Sequence, residues 1–279
     1  MQEKEQEYAK ASFAEVADKY DAIPFFKFSA KYVAEIIKRD KDDKALNILD
    51  VACGTGNVVL ECASTLEGAR FDAIDISEDM LTKAQKNAQE KNLHTIDFHL
   101  QDITKLTLED KYDVITCAYA LFFLPEAHKV LDTLVLLLKE DGIVIFTSFL
   151  AKAFSPSNEI LLPLLEKYGS PSAKEYDMNK WENLKSIQDI KRLCKAADIE
   201  NFEIESKEIR YGMSLDEWWE LLNNTGYKGM LMELSEENYE RVKDEYYKVM
   251  FTHTDMDGEV ELIADTFFTV VKAEVFTNT

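Results

Sequence analysis

The sequence is short of several kinds of residue, and each shortage excludes a class of protein. Its four cysteines, Cys53, Cys62, Cys117 and Cys194, show no C-x-x-C or other metal-ligand spacing, so neither a disulfide framework nor a structural zinc site is expected. No apolar run approaches the length of a membrane span, and the charged start MQEKEQEYAK is unlike a signal peptide. We therefore expect a cytoplasmic protein with reduced thiols.

Positive charge is also scarce. The 279 residues contain 32 lysines and arginines against 53 aspartates and glutamates, which gives a net charge of −21. No run of basic residues interrupts this acidic composition, although binding of a phosphate backbone needs a basic patch. Nucleic acid is therefore not an expected partner, and the charge is interpreted as a contribution to solubility. An apolar content of 46% is enough for one large domain with a lid, or for two small ones.

One stretch, residues 46–57 (LNILDVACGTGN), has the pattern of a ligand-binding turn. Its apolar first half predicts a buried parallel strand, and the apolar spacing that follows predicts a helix. Gly54 and Gly56 fall in the tight turn between them, where the lack of a side chain lets a ligand approach the backbone. The free amides at the helix N-terminus can then bind an anionic group.

The turn departs from the dinucleotide-binding motif G-x-G-x-x-G, because Val59 stands where the third small residue belongs. Asp50 followed by x-Ala-x-Gly-x-Gly instead resembles the first motif of class I S-adenosylmethionine-dependent methyltransferases, with Ala52 in place of the first glycine. The resemblance is to the ubiquinone/menaquinone-type, small-molecule branch of that family. It is tight over about residues 10–150 and holds only in outline beyond them.

Three later segments resemble the same family in order and spacing. The predicted strand 70–75 ends at Asp75, where a carboxylate can accept both ribose hydroxyls of a nucleotide. The predicted strand 96–100 precedes Asp102 and Ile103, which the resemblance places at the adenine amino group and ring. The predicted strand 112–120 leads into a segment that resembles the motif facing the transferred methyl group. The implied cofactor contacts are Tyr20, Asp50, Ala52, Gly54, Gly56, Asp75, Ile76, Met80, Asp102, Ile103 and Cys117.

No residue is a convincing general base, so the catalytic residue is left unassigned. Members of the family often have histidine where Phe122 and Phe123 stand, and aromatic faces suit a cationic sulfonium and an apolar acceptor. Methyl transfer depends on in-line geometry rather than on a metal. No metal site is predicted, because the acidic stretch 255–259 fails the spacing of a calcium loop. Possible pocket residues are Tyr8, Tyr20, Tyr119, Phe122, Phe123 and Trp219.

Alternating strands and helices predict an α/β fold: a Rossmann-like, doubly wound seven-stranded sheet with an antiparallel last strand and a helical cap or lid. The expected division is an N-terminal helical cap over 1–40, a cofactor-binding core over 41–150, and completion of the sheet over 151–279 with a helical substrate lid at about 213–257. Helices are predicted over 3–20, 27–38 and 126–140, and strands over 143–149, about 202–211 and 260–273. Ser77 and Ser186 are expected to begin helices.

The resemblance implies a methyltransferase that converts S-adenosylmethionine into S-adenosylhomocysteine and methylates O, N or C of a small, partly apolar molecule. Its expected partner is that small-molecule acceptor, without nucleic acid or membrane, and its expected state is a monomer or homodimer. Two alternatives stay open. An NAD(P)-dependent oxidoreductase is disfavoured by Val59 and by the lack of a well-placed Tyr-x-x-x-Lys, whereas a non-catalytic S-adenosylmethionine-binding protein is compatible with the apolar residues at 122–123.

Overall fold

The computed structural model describes residues 23–41, 45–108, 110–176 and 180–273. These residues form two compact units, each built from separate stretches of the chain. The core unit contains the described residues of 23–151, 181–207 and 266–273, and the helical unit contains those of 152–180 and 208–265. The predicted helix over 3–20, which includes Tyr8 and Tyr20, lies outside the described residues.

Strands and helices alternate through most of the core unit. The strands of the described residues are β1 (Asn47–Val51), β2 (Arg70–Asp75), β3 (Ile96–Leu100), β4 (Tyr112–Ala118), β5 (Leu138–Phe149), β6 (Phe202–Lys207), β7 (Arg210–Met213), β8 (Val260–Ile263) and β9 (Thr266–Lys272). The α-helices are α1 (Pro24–Asp40), α2 (Asn57–Thr65), α3 (Glu78–Glu90), α4 (Ala127–Leu136), α5 (Ser157–Lys167), α6 (Pro171–Glu175), α7 (Ile187–Ala196), α8 (Leu215–Asn223), α9 (Tyr227–Met232) and α10 (Glu236–Met250).

A seven-stranded sheet in the order β3-β2-β1-β4-β5-β9-β6 forms the centre of the core unit. Strands β1 to β5 are parallel to one another, and β9 is antiparallel to both β5 and β6. The order reverses at β1 and β4, where open α/β sheets bind ligands at the carboxyl ends of their strands. The predicted fold class, including the antiparallel last strand, is confirmed.

The central strands are buried on both faces, which explains why they appear in the sequence as continuous apolar runs. On one face, Ile48 of β1 belongs to a cluster with residues of α1, α2 and α3, including Ile37 and Val59. On the other face, Leu49 belongs to a second cluster with residues of α4 and α7, including Leu131. The sheet is therefore covered by helices on both sides, as in other doubly wound folds.

The helical unit consists of α5, α6, α8, α9 and α10 with a two-stranded antiparallel sheet of β7 and β8. Trp218 of α8 is fully buried, and its indole N–H donates to the Val260 carbonyl at 3.1 Å, so α8 packs on this sheet. A reciprocal pair of hydrogen bonds between Ser214 and Glu217 caps the beginning of α8. Among the described residues, no helix is long and apolar enough to cross a membrane.

Several predicted boundaries are wrong. The helix predicted over 126–140 ends at Leu136, and β5 begins at Leu138 rather than at residue 143, because Leu138 already pairs with Tyr112 of β4. The helix predicted over 27–38 begins earlier, at Pro24, because proline suits the first helical position, where no N–H partner is needed. The caps predicted at Ser77 and Ser186 are confirmed.

The strands predicted over 202–211 and 260–273 are each interrupted and divided between the two units. β6 and β9 belong to the core sheet, whereas β7 and β8 pair with each other. The interruption is fixed by Asp265, whose Oδ1 accepts from the Ile209 amide at 3.0 Å and whose Oδ2 accepts from Arg210 at 2.8 Å. The Asp265 carboxylate thus accepts a backbone hydrogen bond that would otherwise go to a neighbouring strand. The alternation of apolar and polar residues in the sequence does not reveal this contact.

Candidate active site

The glycine turn lies at the carboxyl end of β1. Ala52, Gly54 and Gly56 all have positive φ angles, of 52°, 56° and 90°. A Cβ added at Gly54 would meet no atom within 4 Å, so the backbone here is open to a ligand. A Cβ at Gly56 would lie 3.2 Å from Leu60 and 3.3 Å from Ala84, so this glycine allows close packing of the turn against α2 and α3. The two glycines therefore have different functions in the same turn.

Asp75, the last residue of β2, is held beside this turn. Its Oδ2 accepts from the Gly54 amide at 2.8 Å, and its Oδ1 accepts from the Ser77 amide at 2.9 Å. Burial raises the pKa of the carboxyl group, although the backbone hydrogen bonds oppose that shift. The Ile76 amide also donates to this carboxylate, and these three donors still leave room for a ligand among its roughly four acceptor sites. Asp75 thus fixes the turn and presents a carboxylate at the edge of the sheet.

Asp50 lies beneath the turn and is 2% exposed. Its Oδ1 accepts from the Thr116 hydroxyl of β4 at 2.6 Å, and the Val59 amide in the first turn of α2 also donates to it. Burial raises its pKa to about 7, and the nearby charge of Asp75 adds to the shift. In this structure Asp50 ties β1, β4 and α2 together, and a direct contact with a cofactor stays a prediction.

Beyond β3, Asp102 and its neighbours line the same edge of the sheet. The Oδ1 of Asp102 accepts from the amide and the hydroxyl of Thr104, at 2.9 and 2.7 Å. Among the described residues its Oδ2 forms only a long ion pair with Lys105, at 3.8 Å, so this oxygen has room for a further donor. Ile103 is buried beside it.

Gln101, which the sequence patterns did not single out, follows β3 directly. Its amide donates to the Asp75 carbonyl at 3.0 Å, which ties the ends of β2 and β3 together. Its side-chain Oε1 is buried and has no hydrogen-bond partner among the described residues. Buried acceptors without a donor are rare in folded proteins. No sequence signal could have identified Gln101, because the feature depends on burial and on which neighbouring donors are already used.

Tyr119 follows β4 with a φ of 54° and is packed into the core unit. Its hydroxyl is hydrogen-bonded to the Ser29 hydroxyl at 2.5 Å and to the Thr266 hydroxyl at 2.8 Å, and its ring stacks on Phe149 at 4.4 Å between centroids. Burial raises its pKa to about 12. The phenol is therefore neutral near pH 7 and poorly suited to act as a base.

The aromatic pair after β4 lies nearer the surface. Phe122 is half-buried, with its ring 4.6 Å from that of Phe123 and 6.2 Å from that of Phe149. Phe123 is 52% exposed. Exposed aromatic side chains are often part of a recognition surface. At this end of the sheet they offer an apolar face to a ligand.

The remaining predicted residues have varied surroundings. Cys117 is fully buried in β4, and burial raises the pKa of its thiol. Met80 is buried in α3, and Ile76 is half-buried beside Asp75. Trp219 belongs to the helical unit, where it is 6% exposed and donates to the Tyr239 hydroxyl at 3.1 Å. Within the core unit, the turn residues, Asp75, Asp102 and the aromatic pair all lie at the carboxyl edge of the sheet. Tyr8 and Tyr20 fall outside the described residues.

Comparison with known proteins identifies the family. The profile of the methyltransferase domain family matches residues 42–212, and the chain belongs to this family. Malonyl-[acyl-carrier protein] O-methyltransferase of Bacillus cereus is 33% identical over 112 residues, which cover 40% of each chain. Demethylmenaquinone methyltransferase of Lactococcus lactis is 31% identical over 168 residues, which cover 57% of this chain and 67% of that protein. The predicted family is confirmed.

The solved structure of the plantazolicin methyltransferase BpumL, in complex with a triazolic desmethylPZN analog and S-adenosylhomocysteine, shows the same fold. It has a TM-score of 0.54 and 16% identity, and the match covers 98% of this chain and 100% of that one. The chain spans less than half the length of three malonyl-[acyl-carrier protein] O-methyltransferases of Bacillus species, with coverage of 40% to 46% of those proteins. Among the described residues, no group of His, Cys, Asp and Glu could hold a metal ion.

Proposed function

We propose that this protein is an S-adenosylmethionine-dependent methyltransferase acting on a small, partly apolar molecule. The supporting observation is the pairing of Asp75 with the amide of Gly54, which is open to a ligand at the carboxyl edge of the sheet. In a chain of the methyltransferase domain family, this arrangement favours the sulfonium cofactor over a nicotinamide dinucleotide. The names of both relatives describe methyltransferases.

The chain offers a separate group for each part of this cofactor. Bound S-adenosylmethionine supplies an electrophilic methyl group on sulfur. Asp75 would accept from the ribose hydroxyls with the acceptor positions that its backbone partners leave open. The Oδ2 of Asp102 would accept from the adenine amino group, and Ile103 would pack against the ring. The open backbone at Gly54 would border the remaining, charged part of the cofactor.

The segment 119–125 (YALFFLP) suggests the chemistry of the acceptor. Its one ionisable side chain is Tyr119, whose pKa is raised to about 12, so the segment supplies no base near neutral pH. An acceptor that is already anionic, such as a carboxylate or an ionised ring hydroxyl, needs no base. Phe122 and Phe123 would contact the apolar part of such a molecule. One relative is named for malonyl-[acyl-carrier protein] and the other for demethylmenaquinone.

Three further parts of the proposal concern the whole protein. The helical unit includes the stretch of about 213–257, and its role as a substrate lid stays a prediction. A cytoplasmic location is supported by four free, buried cysteines. The proposed oligomeric state is a monomer or a homodimer.

Calorimetric titration with S-adenosylmethionine, S-adenosylhomocysteine and NADH tests the cofactor. Gly54→Ala should abolish binding of the sulfur ligands, because its Cβ would fill the open face of the turn. Gly68→Ala is a matched control, since Gly68 also has a positive φ, of 75°, and no atom within 4 Å of a Cβ. Binding of NADH alone, or equal affinities in both variants, would contradict the proposal.

Turnover separates an enzyme from a binding protein. S-adenosylhomocysteine formation should be measured with two acceptors, a soluble naphthoquinol and a malonyl thioester, and product masses should show the added methyl group. Phe123→Ala should raise KM for the acceptor that is used and leave cofactor affinity unchanged, because Phe123 is exposed on the core unit. Cofactor binding with no turnover on a broad acceptor panel would favour the non-catalytic alternative.

A further inference from the structure

We propose that Gln101 is a further cofactor-binding residue, whose side-chain oxygen accepts a hydrogen bond from the adenosine part of the cofactor. The inference rests on the proposed function and adds to it a contact that the family resemblance does not supply. The donor is either the 6-amino group of adenine or a ribose hydroxyl. Both groups can donate a hydrogen bond to the amide oxygen of glutamine.

The backbone places Gln101 between two residues already predicted to bind that group. Its amide donates to the carbonyl of Asp75 at 3.0 Å, and the next residue in the chain is Asp102. Asp75 is predicted to bind the ribose and Asp102 the adenine. Gln101 therefore lies where the two halves of adenosine would meet, on a segment fixed by the sheet.

Several donors on the segments next to Gln101 already have an acceptor. The amides of Gly54 and Ser77 donate to Asp75, and both donors of Thr104 are directed to Asp102. The buried Oε1 of Gln101 accepts from none of the described residues. A buried acceptor without a donor is unfavourable, and a ligand that brings its own donor removes the penalty on binding. Adenosine carries such donors on both its base and its sugar.

The test compares Gln101→Met with Gln85→Met by calorimetric titration of S-adenosylhomocysteine. Methionine has nearly the same shape as glutamine but no strong acceptor, and Gln85 is an exposed residue of α3. Gln101→Met should raise the Kd about five-fold, the usual effect of one neutral hydrogen bond, and Gln85→Met should not change it. The thermal midpoint of the free Gln101→Met protein should not fall through loss of Oε1, because this oxygen accepts from none of the described residues.

Two ligand analogues identify the donor. In S-inosylhomocysteine an oxygen replaces the 6-amino group, and in a 2′-deoxy analogue one ribose hydroxyl is missing. One of these analogues should lose less affinity, relative to S-adenosylhomocysteine, in Gln101→Met than in the wild type. The group that this analogue lacks is then the donor to Gln101. Gln101→Leu repeats the comparison should the methionine variant fail to fold.

Three results have distinct meanings. An unchanged Kd for S-adenosylhomocysteine in both Gln101 variants would overturn the assignment of Gln101 while leaving the proposed function intact. The assignment would also be overturned if each analogue lowered the affinity by the same factor in the wild type and in the Gln101 variants. Failure of the wild-type protein to bind S-adenosylhomocysteine would instead overturn the proposed function, and the role of Gln101 with it.

Discussion

Ala52→Gly should stabilise the protein, which is the reverse of what replacing alanine by glycine does elsewhere. Ala52 has a φ of 52°, in the left-handed region that costs an L-residue about 1–2 kcal/mol. Glycine adopts this conformation without a Cβ clash. The substitution therefore removes strain from the turn between β1 and α2.

Two opposing effects reduce the gain. Glycine gives the unfolded chain more freedom, which costs about 0.4–1 kcal/mol, and the half-buried methyl group of Ala52 contributes a few tenths more. The difference leaves a net stabilisation of about 0.5 kcal/mol. For a chain of this size, that corresponds to a rise of roughly 1–2 °C in the thermal midpoint.

Ala63→Gly is the matched control, because Ala63 is also half-buried but lies inside α2. In a helix interior the same change should destabilise by about 1 kcal/mol. Differential scanning calorimetry of the free proteins should thus show midpoints that move in opposite directions. A fall in the midpoint of Ala52→Gly as large as that of Ala63→Gly would refute the reasoning about strain.

Three further perturbations test individual side chains. Asp75→Ala should weaken S-adenosylmethionine binding at least ten-fold in calorimetric titration, because charge-assisted hydrogen bonds are each worth about 1.5–3 kcal/mol. The free energy of unfolding should fall between about pH 4 and about pH 7, since folding raises the pKa of Asp50 to about 7 and the folded state keeps a proton there that the unfolded state releases. Asp50→Asn should flatten that part of the denaturation profile. Tyr119→Phe should destabilise by about 1–2 kcal/mol, because Ser29 and Thr266 each lose a hydrogen bond, while cofactor affinity stays constant.

Each of these expectations has a contradicting outcome. An unchanged affinity in a folded Asp75→Ala protein would count against the ribose assignment. A pH profile identical in wild type and Asp50→Asn would mean that Asp50 does not titrate in this range. A loss of cofactor affinity in Tyr119→Phe, without loss of stability, would place the hydroxyl in the site rather than in the core.

Much of the core unit could be predicted from the sequence because its signals are local. The apolar runs, the glycine turn and the caps at Ser77 and Ser186 each depend on a few adjacent residues. Asp75 stands at the end of the strand that follows the turn, which predicts a position near the turn. In the structure its carboxylate accepts from the Gly54 amide. These features can be predicted without knowing which distant residues pack against them.

The features that could not be predicted depend on distant partners. The chain leaves β6 and enters β7 where Asp265, more than fifty residues later, takes the amide of Ile209. The start of β5 at Leu138 depends on its pairing with Tyr112. The hydrogen bond from the Trp219 indole to Tyr239 on another helix likewise joins residues twenty positions apart, and the pocket role of Trp219 stays a prediction. Residue type alone does not distinguish such packing from ligand binding.

The position of β9 has a consequence for biosynthesis. β9 is the last strand of the core sheet in chain order, but it lies between β5 and β6 and hydrogen-bonds to both. While the ribosome has not yet delivered residue 266, the nascent chain holds two strands whose unsatisfied edges face the gap that β9 will fill. Such edges invite pairing with other chains. Completion of this sheet thus has to wait for β9, and the interval before it is when the protein is most exposed to aggregation.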